Sequence, residues 1–432
     1  MKHIYRPLVG AVVACLALAG CASGTPTPSS TSGGSANPAS PVTLTFQALY
    51  DQPAAIAACQ QIVDSWNQAN PNIQVQIVSA GWDSINDKLT TEFNGGTAPD
   101  IIHNDAASMV SFANDGFLAD LTNVMSDSMK QDIGDGLLQT VTVNGKIVSY
   151  PTEVQSYMVF ANTQLLQADG ITIPTGQSMT WDQLEQIAQA ATNNGVYGLG
   201  WGLKSPTATF MTLAPQFGGT FFSGTGTSAT INIGDGELAI PNLVDKMAYQ
   251  DKSILPVTLT QSGSDAMAAF YAGQVAMTIQ GSYQAASIPT NAPDGFQWTV
   301  LPPLAGSAGA MQVADPQTLS ISASSQHVQE SAQFIEYFMQ AQNLEAVNEA
   351  DALIPATASA RSAMATKLGT TNHWDVILAS GDDFVSAPFL FADNYASWKD
   401  TVATPAFQQF LAQQIDSAGL AKQLTDGWNS LQ

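Results

Sequence analysis

Cysteine is almost missing from this 432-residue chain, with Cys15, Cys21 and Cys59 as the only three. They cannot build a disulfide framework, and no Cys–His zinc motif is present. Positive charge is also scarce: 12 Lys and Arg stand against 35 Asp and Glu, a formal net charge of −23. A field of that sign repels nucleic acid and anionic lipid headgroups. It argues against a dedicated phosphate site as well. Beyond the N-terminus the histidines are His103, His327 and His373, far apart and in no H-x-x-x-H arrangement. There is no G-x-S-x-G elbow, no P-loop and no dinucleotide glycine fingerprint. Asp132–Gly136 and Asn232–Glu237 are too short for Ca²⁺ loops and read as turns. No catalytic residue, metal or cofactor is therefore expected. After the first 20 residues no apolar run is long enough to span a membrane.

What the chain does have begins at its N-terminus. Lys2 and Arg6 precede an apolar stretch, Leu8 to Gly20, that is shorter than the roughly 20 residues a membrane span requires. Residues 1–20 thus read as a signal peptide. They end in Leu18-Ala19-Gly20-Cys21, which resembles the lipobox of bacterial lipoproteins, whose cysteine thiol takes a diacylglycerol. Cys21 is the expected lipidation site; the alternative is an ordinary signal peptide with an incidental cysteine. Residues 21–41, almost wholly Ser, Thr, Gly, Pro and Ala, read as a flexible linker with a reach on the order of 25 Å. Losing Lys2 and Arg6 with the signal leaves 10 basic residues against 35 acidic, a charge of −25, with Arg361 the last arginine. Neutral polar ligands fit that balance best.

Roughly 390 residues then remain, enough for two domains at about 100–200 residues each. Val42–Tyr50 alternates as a strand, Ala54–Asn70 has helical apolar spacing, and Ile73–Val78 alternates again. A helix over Ser84–Phe93 and a strand from Asp100 complete a β-α-β-α-β order, which predicts an α/β fold with a mostly parallel sheet covered by helices. Ligands in such sheets bind beyond the carboxyl ends of the strands. That rule singles out Tyr50-Asp51, His103-Asn104-Asp105 and Gln280–Tyr283, three polar clusters that each follow an apolar run. Gly145–Asn162 opens a second α/β unit. Further helices fit Thr180–Gly195 (with Thr180 as cap), Ser264–Tyr271, Val328–Met339 and Pro405–Ile415.

Stretches such as "VTLTFQALYDQ", "IVDSWNQANPNIQVQIV", "KLTTEFNGGTAPDIIHND", "GKIVSYPTEVQSYMVFAN", "AFYAGQVAMTIQGSY" and "WTVLPPLAG" follow one another in an order that resembles the extracellular solute-binding proteins of carbohydrate ABC importers, the group that includes maltose-binding protein. The resemblance runs from Val42 to about Trp398. It implies the two-lobed periplasmic-binding-protein fold of type II, each lobe a sheet flanked by helices, with the ligand cleft between them. The first lobe would comprise 42–150 plus about 284–325, and the second about 151–283 plus 326–432. The chain would cross between lobes at Val148–Val154, return near Tyr283–Gly306, and cross again around Ala323–Val328 or later. The implied role is capture of a neutral carbohydrate, an oligosaccharide, for delivery to the transmembrane subunits of an ABC permease. The chain would be a monomer on the outer face of the cytoplasmic membrane, touching the bilayer through its lipid only and binding no nucleic acid.

A sugar presents C–H faces that stack on aromatic rings, and hydroxyls that suit Asp, Asn, Gln and Trp. Tyr283 matches the position where carbohydrate-binding relatives carry a stacking aromatic. Tyr50 with Asp51, and Asn104 with Asp105, match loops that reach ligand in the family. Gln155 matches a hinge position that is acidic in maltose-binding protein, with Glu153 two residues away; on an extended segment both would face one side, and one of the two is expected to contact ligand. Trp201 and Ser205 lie in a second-lobe loop that holds sugar in relatives, though the family aromatic is replaced at Thr207 and Trp201 has a core reading too. Tyr395 and Trp398 are similar to a late aromatic segment, and Trp82 is a further cleft candidate. Trp66 and Trp181 read as core. Two other readings stay open. One is a binder of a glycerophosphodiester or polyol, given Lys204, Arg361 and Lys399 near candidate loops. The other is a lipid-anchored glycoside hydrolase using Asp105 and Glu153.

Overall fold

A computed structural model describes residues 41–432 apart from Asp51, Asp83 and Ser84. The expected signal peptide, Cys21 and nearly all of the linker lie outside the described residues. Strand β1 (Val42–Ala48), helix α1 (Pro53–Ala69), β2 (Ile73–Ser79), α2 (Ile85–Gly95) and β3 (Ile101–Asp105) follow in the order that the periodicity predicts, and a further helix, α3 (Ala106–Asn114), comes directly after. β1 pairs in parallel with both β2 and β3. Trp66 on α1 packs inward, its Nε1–H donating to the Ile73 carbonyl at 2.9 Å.

The next long strand, β4 (Ser149–Val154), belongs to the same first-lobe sheet, and β5 (Tyr157–Asn162) opens the second. Helix α4 (Trp181–Ala190) is capped by Thr180 and Gln183, which satisfy each other's backbone N–H groups. It stops before the predicted end, and Gly195 takes φ +86° in the turn beyond. Then come β6 (Tyr197–Gly200), α5 (Pro206–Leu213), β7 (Val275–Gly281) and β8 (Trp298–Val300). The second sheet runs β8-β5-β7-β6.

Later first-lobe elements include β9 (Gln317–Ile321), α6 (Val328–Phe338), α7 (Ala341–Asp351) and β10 (Ile354–Pro355). The first sheet runs β10-β4-β9-β3-β1-β2, parallel across β2-β1-β3 and antiparallel where the returning strands join, so each sheet is mixed. Two of the predicted lobe boundaries differ from this layout. β8 pairs with β5 through Trp298–Asn162, which keeps 284–300 with the second sheet rather than the first. Residues 328–368 cover the first sheet rather than the second lobe, because Phe334 and Phe338 sit edge-on to Phe46 of β1, at 5.8 and 6.1 Å. The chain therefore crosses at Val154–Tyr157, at Val313–Gln317 and near Phe384–Ala387. At the crossings Gln312–Val313 runs beside Phe384–Val385, and Gln312 clamps Tyr157 by both its N–H and its carbonyl.

Candidate functional site

β3 runs into α3 without a loop, and that junction builds the floor of a cleft between the lobes. The first three N–H groups of α3 are all satisfied there. Ala106 donates to the Pro316 carbonyl at 2.9 Å, Ala107 to Asp315 Oδ1 at 3.0 Å, and Ser108 to Asp105 Oδ1 at 2.7 Å. Two carboxylates thus share one helix N-terminus, whose dipole offsets part of their repulsion. Walled in by the cleft, and next to Asp105, Asp315 has its pKa pushed up to about 7. Its side chain opens onto the cavity.

The cavity above this floor has a volume of about 1170 Å³, just above the roughly 300–1,000 Å³ typical of small-molecule sites. Asn86 and Phe112 line its first-lobe wall; Tyr157, Phe389, Tyr395 and Lys399 line the opposite side. Gln155 stands at the hinge, exposed. The Tyr157 phenol accepts from Thr209 at 3.2 Å, which fixes its ring. Rings, amides and carboxylates so arranged can stack on apolar faces and exchange hydrogen bonds with hydroxyls.

The sequence candidates divide into three groups. Asp105, Gln155 and Tyr395 line the cavity. Tyr283 stands beside it, 37 % exposed, and Gly281 makes room for its ring: a Cβ there would meet the ring at 2.5 Å and Gln155 Oε1 at 3.0 Å. Asn104 is buried one layer down, donating to Asn86 at 2.9 Å, so it reaches the cavity only through that residue.

Other candidates sit elsewhere. Tyr50 and Glu153 are buried beneath the floor, and Trp82 packs its edge toward His103 at 5.7 Å. Glu153 parts company with Gln155 because β4 ends at Val154 and the two-residue alternation ends with it. Sealed in this way, Glu153 shares no solvent with Asp105, as a pair of hydrolytic carboxylates would need to. Trp201 lies in the second-lobe core, stacked on Trp181 at 6.0 Å. Trp398 is core too, its Nε1–H bound to the Leu424 carbonyl at 3.0 Å. Ser205 is exposed at the start of α5, outside the cavity lining. Asp51 falls outside the described residues.

Tyr157, Asp315, Asn86 and Phe389 are not among the residues that the sequence pattern singles out. Only Asp315-Pro316 left a signal, and it reads as a turn rather than a cleft floor. Beneath the floor, His103 Nδ1 accepts the Leu49 N–H at 3.1 Å, which leaves Nε2 to donate to Gln317 Oε1 at 2.8 Å. Burial pushes this imidazole down to about 4, although the Gln317 bond acts the other way. Burial, then the Asp351 carboxylate, raise the pKa of Glu153 well above its ordinary value. Among the described residues no cluster of three or more His, Cys, Asp or Glu could hold a metal, and no helix is long and apolar enough to cross a membrane.

The sequence model for bacterial extracellular solute-binding proteins matches residues 50–345. An uncharacterized lipoprotein from the region 5′ of oleD in Streptomyces antibioticus is 32 % identical over 94 % of this chain and 88 % of its own length. Two solved structures share the fold. The GacH receptor of Streptomyces glaucescens, determined unliganded and with acarbose, is 21 % identical and superimposes with a TM-score of 0.71 over 90 % of this chain and 98 % of its own. The cyclic α-maltosyl-1,6-maltose binding protein of Arthrobacter globiformis is 18 % identical, with a TM-score of 0.78 over the same shares.

Proposed function

Since the chain belongs to the bacterial extracellular solute-binding protein family, we propose that it is the lipid-anchored capture subunit of an ABC importer for a neutral carbohydrate, an oligosaccharide. The observation that carries this reading is the cleft itself. Tyr157 and Tyr395 offer ring faces, and Asn86, Gln155 and Asp105 offer hydrogen-bonding groups, all around one large open space between the lobes. Each sugar hydroxyl left unpaired in such a site would cost about 1–3 kcal/mol, so a ligand of matching length is discriminated by its hydroxyl pattern. Lys399 is the one cation among the described lining residues, which favours an uncharged ligand over a phosphodiester. The lobes close on the bound sugar because it contacts both walls, and the closed form docks on the permease. A lipid on Cys21 keeps the binder close to that permease at high effective concentration.

Titration of the soluble domain, residues 42–432, with a panel of mono- and oligosaccharides tests the capture reading. Intrinsic tryptophan fluorescence and melting temperature should shift with at least one of them, with no cleavage products. Silence across the panel, or turnover of a glycoside, would overturn it. Anchoring is tested separately by labelled fatty acid, which should be incorporated by the full chain and not by its C21S variant.

A further inference from the structure

Phe391 is tied by its backbone to one lobe while its side chain is seated in the other. Its carbonyl accepts the Gly226 N–H at 2.7 Å, and the Asp393 N–H bonds back to the Gly226 carbonyl at 3.2 Å. Gly226 lies between the paired second-lobe segments Phe222–Ser223 and Thr230–Ile231. Its φ of +57° is one that glycine adopts without strain, so the tie is locally well determined. The half-buried Phe391 ring packs against the first-lobe cluster that holds Met109, Phe112 and Leu118, and the turn Pro388–Phe391 lies on α3. Its neighbours Phe389, Leu390 and Ala392 line the cavity, and Phe391 does not. The rings of Phe389 and Tyr395, on either side of the tie, are 5.1 Å apart.

We propose that Phe391 is a pin between the lobes, a positioning residue that holds them together before ligand arrives and sets the cleft width across which Phe389 and Tyr395 face the opposite wall. Apolar surface shielded by the seated ring favours the docked arrangement. A ligand that needs both walls then meets a conformation already populated, and its apparent affinity is reduced less by the unpopulated fraction. The consequence for affinity rests on the capture reading; the pinning itself does not.

The test is small-angle X-ray scattering on the ligand-free soluble domain, wild type, F391A and F391L, with each then titrated with the tightest saccharide from the panel. F391A should show a larger radius of gyration and about tenfold weaker binding, 1.4 kcal/mol, at unchanged melting temperature; F391L should stay close to wild type in all three. An unchanged radius overturns the pin, and if binding falls all the same, Phe391 is touching ligand instead. A larger radius with unchanged affinity overturns the positioning role. Should no saccharide bind wild type, the capture reading fails, and the scattering comparison alone still decides whether the ring pins the lobes.

Discussion

His103 and Glu153 face each other at 3.7 Å inside the first lobe, from strands on either side of β9, and neither side chain reaches solvent. Such a pair looks like a salt bridge, yet burial disfavours the charged form of both partners. The imidazole is pushed down to about 4 and the carboxyl is raised, each chiefly by burial. Among the described residues both Glu153 oxygens also lack a hydrogen-bond partner, so ionising the group would leave a poorly compensated buried charge.

Glu153 should make the fold less stable as pH rises. Its folded pKa lies above the unfolded value of about 4.5, so between those two values the unfolded chain sheds the proton first. The stability it lends at low pH is thus lost as pH climbs toward the folded pKa. In E153Q that slope disappears, and the variant melts higher than wild type at pH 8. Melting curves from pH 5 to 9 check this; parallel curves for the two proteins would contradict the sign.

His103 acts on the acid side. Its folded pKa of about 4 lies below the unfolded 6.5, so in that interval the unfolded chain binds more protons. Stability present above pH 6.5 is lost as pH falls through 4, by up to the order of 3 kcal/mol. H103N, whose side-chain oxygen can take the Leu49 N–H, should show a shallower acid limb in urea unfolding between pH 6.5 and 4.

Asp315 should give ligand binding an inflection near neutral pH. With its pKa pushed up to about 7 by the cleft walls and Asp105, and with Lys399 opposing, it gains its charge as pH rises through that value. A carboxylate accepts hydroxyl protons better than the acid does, so affinity strengthens from pH 6 to 8. Calorimetry on D315N should show a flat profile over the same range, with the wild-type inflection gone.

Gly281 is the position from which to test Tyr283. A methyl at 281 would collide with the Tyr283 ring and with Gln155, both flexible at their ends, so G281A folds while displacing the ring. If that ring stacks on sugar, G281A and Y283A each lose about 1 kcal/mol, roughly fivefold in affinity. The double variant should then lose no more than either alone. No loss in Y283A would mean that Tyr283 does not face the ligand, and a double variant weaker than either single one would mean that G281A acts through Gln155 as well.

Much of the first lobe could be read directly, because β1, α1, β2 and β3 each announce themselves by local periodicity. Lobe membership could not. Trp298–Val300 joins the second sheet through pairing with residues near Asn162, a contact with no trace in local composition. The cleft shows the same limit. A polar cluster after an apolar run marks the end of a strand, but it does not separate floor from underlayer. Asp105 lines the cavity, whereas His103, two residues earlier on the same strand, is buried against Glu153. Trp398 sits in "ADNYASW" beside Tyr395, and only the packing of Phe222 and Trp428 against its ring explains why it turns inward.

β9 sits between β4 and β3 in the middle of the first sheet, although it is made only after the whole second sheet of the other lobe. During synthesis the early strands must therefore wait with an unfilled gap for a segment more than 150 residues downstream of β4 to arrive. Such late, non-local closure slows folding. Neither lobe can be expressed alone as a continuous fragment, and a chain cut short before residue 317 would expose the bare edge of β3 to aggregation.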